Sequence, residues 1–238
     1  MIDYDIFPLG DQAVCLSFGN VIDQRVHRRI LAAREWILAN HFPGLTDVVI
    51  GYSSMTLTYD AFVLAEKITR ASPATNVTKI LRDAIEQAIP AERSRVLKRI
   101  PVCYELEFAP DMGEVAAWSK LSAAEIAALH HSRRYEVYMI GFLPGFPYLA
   151  HVDERIRVPR KNRPSAGVEA GSVAIAGEQT GIYPVESPGG WMVIGRTPVT
   201  LFNKNAAEPA LLEPGHEVEF YPVSAEEFHR IRATQQWD

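Results

Sequence analysis

Ser172 to Pro198 reads SVAIAGEQTGIYPVESPGGWMVIGRTP. The apolar runs Val173–Ala176 and Met192–Ile194 are short, and Gly177, Gly181, Pro184, Pro188, Gly189, Gly190 and Gly195 punctuate the intervals. Residues 141–198 hold nine of the fifteen glycines and seven of the sixteen prolines, and further apolar runs follow at Val199–Phe202 and Val218–Tyr221. Many short strands joined by Gly/Pro turns indicate a β-barrel or sandwich and argue against a parallel α/β sheet.

Upstream the texture differs. Tyr135–Gly141 alternates like a strand, and two short helices precede it, each with a capping-box spacing: Asp111 with Glu114, and Ser122 with Glu125. A strand is expected at Ile100–Glu105. The charged stretch Ala91–Arg99 reads as a linker, dividing the chain into domains at 1–90 and 100–238. The first domain reads as α+β. Strands are expected at Tyr4–Leu9, Ala13–Phe18, Asp47–Ile50 and Met55–Tyr59. A helix from Asp23 to Asn40 places Val26, Ile30, Ala33 and Ile37 on one face, and helical stretches follow near Phe62–Arg70 and Val77–Ala88. A last helix is expected near Ala225–Ala233.

Composition excludes several classes. A chain of 238 residues, 47% hydrophobic and 22% charged, can bury a core. Its net charge of −5 offers no positive field to recruit nucleic acid or an anionic membrane. No stretch approaches the roughly 18 apolar residues of a membrane helix, and Asp3 and Asp5 stand where a signal peptide would be basic. Cys15 and Cys103, far apart, read as reduced thiols of a cytoplasmic protein. The sequence lacks a phosphate-binding P-loop, a dinucleotide fingerprint, a zinc motif and a nucleophile elbow, so no metal or bound cofactor is expected of this chain alone.

The candidates for chemistry lie around the Gly/Pro-rich turns. Phe142 and Phe146, in a loop stiffened by Pro144 and Pro147, and Trp191 beyond Gly189-Gly190, read either as core seals or as the apolar wall of a ligand or partner groove. Gln179, Thr180 and Gly181 offer an amide, a hydroxyl and close backbone approach to a carboxylate or amide, or form a plain turn. Ser187, Gly189, Gly190 and Arg196 flank one strand, as substrate contacts or as corner devices. Five cations fall within Arg155–Arg163. They form a solvated loop or an anion site, in which Arg160 and Arg163 would act as guanidinium forks. His130, at a helix end, is either a capping or buried histidine or a proton carrier.

Taken together, these strings resemble the 5-oxoprolinase B-subunit family, which also includes a sporulation histidine-kinase inhibitor and proteins labelled allophanate hydrolase subunit 1. The matching segments are Phe7–Ala13, Tyr59-Asp60, Pro101–Tyr104, Glu107-Phe108 and Pro110-Asp111. They continue with His130, Tyr135, Gly141–Leu149, Ala170–Val173, Gln179–Pro184, Ser187–Trp191 and Gly195–Pro198. The resemblance implies a small α+β N-terminal domain followed by a cyclophilin-like β-barrel. It also implies action with A and C subunits to open 5-oxoproline to glutamate, with ATP as a cosubstrate of the complex and no activity of the chain alone. Inhibition of a histidine kinase, or a urea carboxylase or allophanate-type carboxyltransferase role, is the alternative. On the enzyme reading, Arg160 and Arg163 hold a carboxylate or phosphate, Gln179 and Thr180 orient the ring amide, and His130 carries the proton. Phe142, Phe146 and Trp191 are then interface anchors. Three positions depart from the family pattern: Ala109 stands for a usual glycine, Ser165 for arginine and Glu169 for proline.

Overall fold

A computed structural model describes residues 3–67, 72–89 and 96–234. The chain divides into two compact units, Met1–Ser94 and Arg95–Asp238. Residues 91–95 of the expected linker lie outside the described residues. Its last three residues, 97–99, already belong to a strand, since Leu97–Val102 pairs in parallel with Glu217–Pro222. The charges read as a linker signature are tolerated because Arg99 ends 3.1 Å from Glu219 across that pairing.

The first unit runs β1 (Asp5–Pro8), β2 (Ala13–Ser17), α1 (Gln24–Ala39), β3 (Leu45–Ile50), β4 (Ser54–Tyr59), α2 (Ala61–Lys67) and α3 (Pro73–Gln87), with sheet order β1-β2-β4-β3. Helix α1 starts where the Asp23 carboxylate accepts hydrogen bonds from the Arg25 and Val26 amides, at 2.7 and 3.3 Å. Its stripe of Val26, Ile30, Ala33 and Ile37 is buried against β2, β4 and α3, so the 3.6-residue period and the core face coincide.

The second unit runs β5 (Leu97–Val102), α4 (Met112–Ser119), α5 (Ala123–His131), β6 (Arg134–Ile140), β7 (Pro147–Ala150), a 3₁₀ turn (Glu154–Ile156), β8 (Ser165–Val168), β9 (Ser172–Ala176), β10 (Gln179–Ile182), β11 (Ser187–Gly189), β12 (Met192–Arg196), β13 (Glu217–Pro222) and α6 (Ala225–Thr234). Seven strands form one mixed sheet in the order β12-β9-β10-β7-β6-β13-β5. Its two ends meet: the Cys103 and Arg196 amides each donate to the other's carbonyl, at 2.8 and 2.9 Å, so the sheet curls until β5 reaches β12. Closure removes the exposed edges an open sheet would leave. Val199–Phe202 is not a strand; only Phe202 makes a bridge, to Ala210. Conversely, Gln179–Ile182 and Ser187–Gly189, read as turns because of their glycines, are strands.

Antiparallel register sorts the side chains into two faces, because directly opposed residues point the same way. Leu149 opposes Val137 and Thr180, Thr180 opposes Ile175, and these apolar residues join Val115 and Ile126 of the helices in the main core. The other face carries Tyr148, Ala150, Ala174, Ala176, Gln179, Gly181 and Val193. The second capping box is present: the Ser122 amide donates to Glu125 at 2.8 Å and the Glu125 amide to Ser122 Oγ at 3.3 Å. Asp111 departs from expectation. It makes no side-chain cap for α4, and its carboxylate instead accepts from the Val193 amide at 2.7 Å and from Lys161 at 2.7 Å. Among the described residues, no helix is long and apolar enough to cross a membrane.

Candidate functional site

The second face of the sheet holds a polar side chain with no hydrogen-bond partner among the described residues. Gln179 on β10 sits opposite Ala150 and Ala176, half-buried between two small side chains. Its side-chain amide makes no hydrogen bond among the described residues. Two positions along, Gly181 faces Tyr148 and Ala174. A Cβ there would come within 2.8 Å of the Phe146 ring, so glycine is required for packing and offers no approach to a ligand. Phe146, Tyr183 and Trp191 meet edge to face, at 5.2 and 5.6 Å from Phe146, and Tyr148 lies 5.7 Å from Trp191.

Arg160 caps this aromatic group, its guanidinium 5.8 Å from the Trp191 ring centroid. It is exposed and has no carboxylate partner among the described residues. Burial pushes the Tyr148 phenol pKa up, and the Arg160 cation partly offsets that rise. The residue that follows is held firmly: the Lys161 amide donates to the Gly190 carbonyl at 2.7 Å. Its ammonium, only 13% exposed, reaches Asp111 and, at 2.8 Å, Ser165 Oγ. Ser187 Oγ on β11 is buried without a partner among the described residues. A free guanidinium, an unpaired amide and an aromatic wall suit a small flat molecule bearing a carboxylate and an amide.

Several expected site residues lie elsewhere. His130 is fully buried, stacked on Phe220 at 4.8 Å, with Nδ1 2.8 Å from Tyr104 Oη and Nε2 2.9 Å from Thr180 Oγ. Thr180 donates its own proton to the Ala174 carbonyl at 3.0 Å, so it accepts from His130. Burial, with His131 and Arg133 nearby, lowers the His130 pKa to about 3, and the ring is neutral. The proton-carrier and substrate-orienting roles expected of His130 and Thr180 are therefore corrected to a structural hydrogen bond on the core face. Arg196 spends its guanidinium on the Glu169 carboxylate and the Ala170 carbonyl. The family departure at Glu169 thus takes up the cation expected to bind substrate. Arg163 is exposed beyond the site. Phe146 and Trp191, expected as interface anchors, are 1% and 5% exposed and belong to the core; Phe142 alone presents its ring, 63% exposed. The Pro/Gly-stiffened turns fold these rings inward. Gly189 packs on Tyr183, where a Cβ would lie 2.3 Å from the hydroxyl, whereas Gly190 has open space. Gly189→Ala is therefore expected to destabilise the chain by about 1–3 kcal/mol and Gly190→Ala to be nearly neutral, as read by thermal unfolding.

Sequence reasoning missed His151, Glu178, Tyr138 and Lys161 with Asp111, because their partners lie far apart in the chain. The cleft lined by His131–Arg134 and Glu219–Pro222 lies at the α5–β6 turn, where Arg134 is already 3.3 Å from Glu219. Among the described residues, no three His, Cys, Asp or Glu side chains converge as metal ligands.

A model of the carboxyltransferase domain, subdomains C and D, matches residues 4–212. The 5-oxoprolinase B subunit of Bacillus subtilis (strain 168) is 39% identical over 97% of this chain and 98% of that protein. The chain belongs to the 5-oxoprolinase B-subunit family of carboxyltransferase-domain proteins. A second family member, the B subunit of Escherichia coli O157:H7, is 42% identical over 90% of this chain and 94% of its own. The crystal structure of TTHA0988 matches at 37% identity with a TM-score of 0.76, covering 90% of this chain. The chain spans only 40% of the TTHA0988 chain.

Proposed function

We propose that this protein is the B subunit of an ATP-dependent 5-oxoprolinase of the cytoplasm, opening 5-oxo-L-proline to L-glutamate with A and C subunits. The observation that carries this reading is the pairing of Arg160, a guanidinium without a carboxylate partner among the described residues, with the unpaired Gln179 amide on one aromatic-walled face. Arg160 would hold the substrate carboxylate in a fork, Gln179 would meet the lactam N–H and C=O, and Tyr148 would flank the ring. The names of the relatives supply the substrate class. Nucleotide chemistry falls to the other members of the complex, consistent with the absence of a P-loop from the sequence. That this chain matches only 40% of TTHA0988 supports a working unit larger than the chain itself. The curled sheet is read as a cyclophilin-like barrel that follows a separate α+β domain in the chain. The buried free thiols, Cys15 and Cys103, are in keeping with a reducing compartment.

The test is reconstitution with the A and C subunits of the same organism. The complex is expected to convert 5-oxo-L-proline to L-glutamate only with ATP, and the isolated chain to do neither that nor ATP hydrolysis. Turnover by the isolated chain, or none by the complex, sinks the reading. Within the active complex, Arg160→Gln is expected to raise KM for 5-oxoproline about 10–100-fold, the loss of a charge-assisted hydrogen bond, with thermal unfolding unchanged.

A further inference from the structure

Ring opening requires a group that moves a proton, and on this face the Glu136 carboxyl, opposite Ala150, is buried. A second such group stands at the border of the site. His151 follows Ala150, the cross-strand partner of Gln179. Its Nδ1 is 3.2 Å from Glu178 Oε2 in the β9–β10 turn, and its Nε2 is 3.2 Å from Tyr138 Oη on β6. Arg157 places its guanidinium 3.8 Å from the same Glu178 oxygen and donates from Nε to the Val152 carbonyl at 3.1 Å. The His151 carbonyl accepts from Arg133 at 3.1 Å, which anchors the backbone.

The partners define what this imidazole can do. A carboxylate only accepts, so Nδ1 carries a proton and Nε2 is the exchanging nitrogen. Tyr138 Oη can donate to a neutral Nε2 or accept from a protonated one, so the ring can hold either charge without losing a hydrogen bond. His130 has no such freedom: it is enclosed, with two hydroxyl partners and no carboxylate. The His151 side chain is 39% exposed and can be reached by a small molecule. Tyr148 and His151 are three residues apart, about 10 Å along the chain, while Gln179 adjoins Glu178 directly.

We propose that His151, oriented by Glu178, is the proton-transfer residue for opening of the lactam, an inference that rests on the ring-opening function proposed above. Water adds to the ring carbonyl carbon and, taking the place of the Tyr138 hydroxyl at Nε2, passes one of its protons there. As the C–N bond breaks, the imidazolium returns that proton to the departing ring nitrogen. The terminal phosphoryl group of a nucleoside triphosphate bound by the complex is transferred beforehand to the ring carbonyl oxygen, with the diphosphate leaving, so C–N cleavage gives an amine and a carboxyl phosphate and restores His151. A second water hydrolyses the carboxyl phosphate to carboxylate and inorganic phosphate. Glu178 is a positioning residue: it fixes the tautomer and ring plane and does not itself contact the reacting atoms.

The experiment uses the reconstituted complex with 5-oxoproline and ATP, measuring glutamate. His151→Ala is expected to lower kcat by about 100-fold or more with KM within a few-fold, and added imidazole is expected to restore part of the lost rate. Glu178→Gln is expected to lower kcat less, with KM unchanged. If His151→Ala does not fold, His151→Asn, which keeps a donor toward Glu178, carries the same measurement of kcat. Loss of activity without imidazole rescue in a folded His151→Ala, or kcat within 3-fold of wild type in either folded variant, overturns the assignment and leaves the substrate reading standing. A wild-type complex that binds its partners but does not open 5-oxoproline overturns the reading and this assignment with it.

Discussion

Phe146→Ala is expected to destabilise the chain by about 3–5 kcal/mol, and to do so in the isolated protein, with no partner present. The ring is 1% exposed and touches four others, Phe142, Tyr148, Tyr183 and Trp191, with centroids 4.8–5.7 Å away. Facing it is Gly181, which has no side chain with which to fill the space left behind. The cavity would therefore persist, and the loss would combine the transfer of an aromatic ring with the contacts its neighbours forfeit. Trp191→Ala is expected to behave alike, with the added loss of the surface under Arg160. Urea unfolding of the isolated chain measures the loss, and co-purification with the A and C subunits measures association. A well-folded Phe146→Ala that no longer associates would show the ring to be an anchor after all. Phe142→Ala, at 63% exposure, is the matched control and should leave the unfolding midpoint nearly unchanged.

Acid should weaken this protein well above the range in which carboxylates titrate, and His130 is the reason. In the folded chain its pKa is lowered to about 3 by burial; in the unfolded chain it returns to an ordinary value near 6.5. As pH falls through 6.5 the unfolded state takes the proton and the folded state does not, so stability declines. The loss accrues at about 1.4 kcal/mol per pH unit and ceases only near the folded value, giving a total on the order of 5 kcal/mol. Asp23 and Asp153, whose pKa values are lowered by Arg25 and Arg155, hold their contributions above the unfolded carboxylate value and lose them only below it. Between pH 7 and 4.5 the His130 contribution is joined by that of His216, whose pKa burial also lowers, so a His130 variant is needed to isolate it. The measurement compares wild type with His130→Gln, which keeps one amide donor for Thr180. Wild type should lose more stability than the variant between those two pH values; equal losses would show that His130 does not titrate with folding.

Much of the fold was legible because local rules and tertiary structure agree. The α1 stripe of Val26, Ile30, Ala33 and Ile37, the Ser122–Glu125 capping box and the density of glycine and proline in 141–198 each report on contacts within a few residues. The site was legible in part. Arg160 and Gln179 were singled out by residue type, and the structure leaves the guanidinium without a carboxylate and the amide without a hydrogen bond among the described residues. Thr180 was misassigned because alternation says that neighbours on a strand face opposite ways and does not say which way is filled. Gln179 and Thr180 are adjacent, and one looks onto the candidate site while the other is bonded to His130.

By itself, then, the sequence determined that this chain has a helix-bearing first part and a many-stranded second part, and its ordered motifs determined the family. Only the tertiary structure decided which distant groups meet. Arg99 is paired with Glu219, Asp111 with Val193 and Lys161, and Arg196 with Cys103, the last closing the sheet. It likewise set Glu178 against His151. Such meetings depend on register across strands far apart in the chain, and a shift of one residue would send every side chain to the other face. Periodicity carries no term for that choice; it is made by the summed packing of the core against α4 and α5.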